Sequence, residues 1–114
     1  MGDARPTQDE LHAALDLSWE EALISLGAFG ADVGPRDALE KGARVYRAIS
    51  EKLRDQVCES ERVRQLVLEE ADRLTLAGAI ADVIASANHQ LPVATVAALM
   101  TKSGLSQYCA SHWA

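Results

Sequence analysis

Apolar residues recur at three- and four-residue steps along nearly the whole chain, and nowhere do they alternate cleanly with polar ones. That is the period of helices packed on one face, and it argues against strands. The longest such stretch runs from Ser60 to Asn88, with Val63, Leu66, Val67, Ala71, Leu74, Ala77, Ile80, Ala81, Ile84 and Ala87 on its stripe. As one rod it would be ~42 Å long at 1.5 Å per residue, too long for a domain whose radius of gyration should be near 13 Å. A bend or break is therefore predicted near Thr75–Gly78, with Thr75 as a new cap and Gly78 as the weak point. A second long helix is predicted from Pro35 to about Cys58, carrying Leu39, Gly42, Tyr46, Ile49, Leu53 and Val57 inward. Its flanks offer Glu40–Arg44 and Arg47–Glu51 at four-residue spacing, as surface pairs. These two long helices are expected to form a central antiparallel pair.

Shorter helices surround them. Thr7–Glu10 and Ser18–Glu21 each have the form of a capping box and open helices to about Asp16 and over roughly Trp19–Ala28. The acids in those first turns, Glu10, Glu20 and Glu21, read as dipole and capping residues. Gly27, Gly30 and Gly34 then mark a loop whose spacing fits neither a dinucleotide fingerprint nor a P-loop, so it reads as helix termination. Pro92 opens a helix to about Ser103, Gly104 ends it, and a last short helix covers Ser106–Trp113. The expected fold is all-α, a compact bundle of five to six helices in one domain over residues 1–114.

Composition sharpens this picture at two points. Only five residues are aromatic, so the core must be aliphatic and rich in alanine, and no apolar run approaches a membrane span. The net charge of −6 comes entirely from residues 1–34, where seven acids face Arg5 alone. From Leu74 to Ala114 only Asp82 and Lys102 carry formal charge. A surface helix normally keeps a charged outer face. The missing charges point to an apolar interaction surface comprising Leu76, Val83, Val93, Leu99, Met100, Leu105 and Trp113, used for self-association as a homodimer.

The candidate chemistry is sparse. Cys109 and His112 have the internal spacing of half a zinc site, and Cys58 and His89 supply ligands of the right type, but a second close pair is missing. No metal and no cofactor are expected, and Cys58 and Cys109 are expected to be reduced in a bacterial-type cytoplasm, since the N-terminus lacks an apolar leader. Glu69, Glu70 and Asp72 read as a solvated face, with Glu69 four residues before Arg73. No nucleophile motif is present, so an enzyme and a small-molecule substrate are not expected. The alternative function is a helix-turn-helix DNA-binding regulator over residues 92–113, reading bases with Ser106, Gln107, Tyr108, Ser111 and His112, with Lys102 on phosphate. A single nearby base is a poor electrostatic footprint for DNA. The leading expectation is a non-enzymatic protein–protein interaction module, adaptor or regulatory, without nucleic acid or membrane as partner.

Overall fold

A computed structural model of the chain describes residues 6–29, 34–87 and 92–113. Among these, the helices are α1 (Gln8–Asp16), α2 (Trp19–Ala28), α3 (Pro35–Cys58), α4 (Glu61–Leu68), α5 (Arg73–Ala87), α6 (Val93–Ser103), and two single turns, α7 (Leu105–Tyr108) and α8 (Ala110–Trp113). The all-α bundle expected from the sequence is present. Gly30 and His89 lie outside the described residues.

Both capping boxes form. The Thr7 and Ser18 side chains accept from the Glu10 and Glu21 N–H groups, and the two carboxylates accept from the Thr7 and Ser18 N–H groups in return. Those bonds hold the Glu21 carboxyl below its ordinary value.

The long Ser60–Asn88 rod does break, but earlier than the pattern suggested. α4 stops at Leu68, and the Ala71 and Glu70 N–H groups donate back to the carbonyls of Leu66 and Val67. That pair of bonds is a Schellman stop, with Glu70 in its left-handed position at φ 55°. Glycine normally takes that position, and Glu there costs about 1–2 kcal/mol. Asp72, not Thr75, then caps α5 by accepting the Thr75 N–H at 2.8 Å. Glu69 accepts from Gln65 at 2.7 Å instead of reaching Arg73. A straight rod would also have outrun the molecule, whose longest extent is 39 Å.

Hydrogen bonding from the Thr75 backbone, and then its side chain, holds the Asp72 carboxyl below its ordinary value of 3.8. The sign follows from linkage. A depressed folded value means that the contribution is complete above about pH 4 and is lost as pH falls through the lower folded value. Asp72→Ala is expected to lower the midpoint of thermal unfolding at pH 7 while narrowing the gap to wild type below pH 3, as followed by circular dichroism.

The centre of the bundle is α5 with α6. α5 buries Ala77, Ala79, Ile80, Ala81, Ile84 and Ala85, and α6 buries Val93, Val96, Ala97, Ala98, Leu99 and Met100. Helices apolar on nearly all sides belong inside. Around them pack α1, α2, α3 and α4, while α3 makes its most extensive contact with α2. Ile80, Ile84, Leu99 and Met100 are fully buried, each worth about 1.5–3 kcal/mol of transfer free energy. This corrects the reading of the charge-poor C-terminal half. Val93, Leu99, Met100 and Leu105 are core residues of a single chain, and only Leu76, Val83 and Trp113 keep partial exposure.

α2 and α3 cross on a pair of glycines. A Cβ on Gly42 would lie 1.9 Å from the Leu23 carbonyl oxygen, and one on Gly27 would lie 1.8 Å from that of Ala38. Each helix thus seats its backbone on the other. Gly27 ends no helix; it is buried within α2.

The cysteines are the second correction. Cys58 and Cys109 are joined in a disulfide, with Cα atoms 5.4 Å apart, where reduced thiols were expected. Cys58 is the last residue of α3, and the α7–α8 turn folds back over it. The 51-residue separation hides this in the sequence. No described helix is long and apolar enough to cross a membrane.

Candidate functional site

Four-residue steps along α3 place Tyr46, Ser50, Arg54 and Cys58 on one side of that helix. Each meets a residue from another element. Tyr46 meets the ring of Trp19 edge to face, with centroids 5.5 Å apart and planes at 87°. Its hydroxyl lies 3.5 Å from Ser103 Oγ at the end of α6. The buried Ser50 receives a hydrogen bond from the Tyr108 hydroxyl on its carbonyl, while its own hydroxyl donates to the Arg47 carbonyl. The Arg54 guanidinium lies 5.0 Å above the Tyr108 ring, a cation–π contact. The Cys58 carbonyl accepts the indole N–H of Trp113 at 2.7 Å. Four of the five aromatic residues therefore lie along one seam, leaving only Phe29 elsewhere.

Burial raises both phenols. Tyr46 is shifted upward by desolvation, and Tyr108 is pushed up to about 12 by desolvation with Arg54 opposing. Both hydroxyls stay protonated and able to donate at neutral pH.

Between the two tyrosines lies a shallow depression of about 220 Å³, lined by Tyr46, Ser50, Ser103, Gly104, Gln107 and Tyr108. Gly104 turns the chain at its floor with φ 94°, a conformation suited to glycine. Beside the depression Trp19 stands 39 % exposed, one of the few large apolar side chains left in solvent. Exposed Glu20 and Glu21 follow Trp19, while Lys102 adjoins Ser103 and Arg54 covers Tyr108.

The residues singled out in the sequence are dispersed by the fold. Leu76 and Val83 are half-buried on α5, where Val83 lines a separate open depression with Gln56, Asp82, Ser86 and Ala87. Trp113 is half-buried and tied to Cys58. The segment expected to form a single DNA-reading helix is two single turns that meet at Cys109. Tyr108 turns inward to Ser50 and His112 turns to Asp55, 2.8 Å away, leaving Ser106, Gln107 and Ser111 exposed and Lys102 half-buried. Cys58 and Cys109 offer no thiolate to a zinc ion, because both are consumed by their disulfide, and His89 lies outside the described residues. Trp19, Ser50, Arg54 and Ser103 were the seam residues that sequence reasoning missed. Trp19 looked like an ordinary first-turn residue, and only the four-residue step from Tyr46 to Ser50 to Arg54 could have drawn attention to that side of α3. No protein-family model, curated protein or solved structure matches this chain.

Proposed function

We propose that the chain is a non-enzymatic protein–protein interaction module that pairs with a second copy of itself through the aromatic seam of α3. The observation that carries this reading is the adjacency of a knob and a hole on one face: exposed Trp19 stands beside the depression between Tyr46 and Tyr108. A two-fold axis passing near Tyr46 would seat each copy's indole in the other's depression. A reciprocal contact of that kind defines an isologous interface and closes at two subunits. Tryptophan, tyrosine and arginine are also the residues that most often anchor protein interfaces. The rims are opposite in sign, because Glu20 and Glu21 flank the knob while Lys102 and Arg54 flank the hole. Opposed rim charges of this kind favour encounter in the right register.

Three substitutions test the geometry. Trp19→Ala is expected to weaken dimerisation by several hundred-fold, because the two-fold contact loses two anchors worth about 2 kcal/mol each. Glu20→Lys is expected to weaken it several-fold, and adding Lys102→Glu to restore it. Size-exclusion chromatography with light scattering reads both results. An unchanged dimer in Trp19→Ala would remove the seam as the interface, and failure of the charge swap to rescue would remove the proposed register.

A further inference from the structure

At the far end of α3, away from Trp19, the fold gathers three metal-binding groups. Asp55 and Glu59 stand four residues apart at the C-terminal end of the helix, and His112 arrives from α8. The carboxylate oxygens and the imidazole nitrogen all lie within 4.8 Å of one another. The closest pair is His112 Nε2 and Asp55 Oδ1 at 2.8 Å. Zinc binds such atoms at about 2.0–2.2 Å, which in its tetrahedral shell sets neighbouring ligands about 3.3–3.6 Å apart. The His112–Asp55 contact is a hydrogen bond, and it need open by only about 0.5 Å for the two atoms to share an ion.

A plain surface ion pair is a poor account of this arrangement. Asp55 has a side chain 78 % exposed, and pairs in such a setting contribute little. The carboxylates also sit where they cost stability. α3 is 24 residues long, its C-terminal end carries the negative end of the helix dipole, and its last turn contains no basic residue. Asp55 and Glu59 add two negative charges at that end, and His112 is the group that comes within ligand distance of them. A cation at this point would meet both the carboxylates and the dipole.

The frame beneath the three groups is rigid. Asp55 lies three residues before Cys58, and His112 lies three residues after Cys109, so the disulfide ties together the two turns that carry them. The Trp113 indole, bonded to the Cys58 carbonyl, holds α8 in the same place. Ser111 Oγ lies 3.5 Å from the other imidazole nitrogen of His112 and can orient the ring. Ligands held in advance lose little freedom on binding.

We propose that Asp55, Glu59 and His112 form a binding site for one late first-row divalent cation of the zinc type, with solvent completing its shell. One imidazole with two carboxylates suits zinc better than calcium or magnesium, which take all-oxygen shells. An imidazole binds a metal ion only through an unprotonated nitrogen, so protons compete with the ion and affinity falls as pH drops.

The test is calorimetric titration of the full, disulfide-bonded chain with zinc chloride at pH 7 and again at pH 5.5, with calcium chloride alongside. The expected result is one saturable zinc per chain, weaker at the lower pH, and much weaker binding of calcium. His112→Gln and Glu59→Gln are each expected to lower zinc affinity by about tenfold or more. Circular dichroism confirms that both variants remain folded, and the imidazole resonances of His112 should shift on adding zinc to the native chain. No saturable binding below millimolar zinc would overturn the proposal. So would an affinity unchanged in His112→Gln, since the ion would then be held by other carboxylates.

Discussion

Gly42→Ala is expected to destabilise the fold by about 3 kcal/mol or more, the upper end of the usual range for overpacking. A single methyl group has this effect because of what it would meet. Its Cβ would fall 1.9 Å from the Leu23 carbonyl oxygen, an atom of the main chain that no rotamer change can move. The helices must separate, and with them the contact of Gly27 against Ala38 on the opposite side of the crossing. Helix propensity alone would favour alanine by up to about 1 kcal/mol, so the sign of the measured change decides which effect dominates. A midpoint of thermal unfolding lowered by about 10 °C or more is the expected outcome. Gly27→Ala should behave alike, and the double variant should lose less than the sum, since one separation relieves both clashes. A stabilised Gly42→Ala would mean that α2 and α3 do not cross as closely as described.

Breaking the disulfide should have an effect of similar size. Closing a loop across the 51-residue separation of Cys58 and Cys109 restricts the unfolded chain by about 4 kcal/mol in the chain-entropy treatment. The folded state gives little back. Cys109 is fully buried and Cys58 nearly so, and Tyr108, His112 and Trp113 hold the same segment by hydrogen bonds to α3. Urea unfolding of the Cys58→Ala, Cys109→Ala variant, compared with the oxidised chain, is expected to show a loss of about 2–5 kcal/mol. Intact mass under non-reducing conditions should be two hydrogens below that of the reduced chain. A native chain that stays stable and helical with both thiols free and alkylatable would restore the original expectation of reduced cysteines.

Much of the architecture was legible in the sequence because it is local. Capping boxes at Thr7 and Ser18, proline at the start of α3 and glycine at the end of α6 are signals written within four residues. The break before α5 was misplaced for a physical reason. The chain stops α4 with Glu70 in a left-handed conformation, and no glycine announces it. The charge-poor half is ambiguous in sequence because two conditions remove charge from a helix, burial on all sides and burial against a partner, and composition cannot separate them. α5 and α6 are the first case. Gly27 and Gly42 illustrate the same limit, since each is a weak helix residue until the other helix is placed on it.

The candidate seam was harder still to see, because its parts come from α2, α3, α6, α7 and α8. Tyr46 reads as one more core position in its own stripe, and Tyr108 as a possible base contact. Their common surface exists only once the disulfide and Gly104 have turned the C-terminal segment back along α3.

Sedimentation equilibrium of the native, oxidised chain from low to high micromolar concentration tests the central claim most directly. The account predicts a reversible monomer–dimer equilibrium that closes at two copies of the 12.3 kDa chain, with the dimer lost in Trp19→Ala. A monomer mass at every concentration, or association that continues past the dimer, would contradict it.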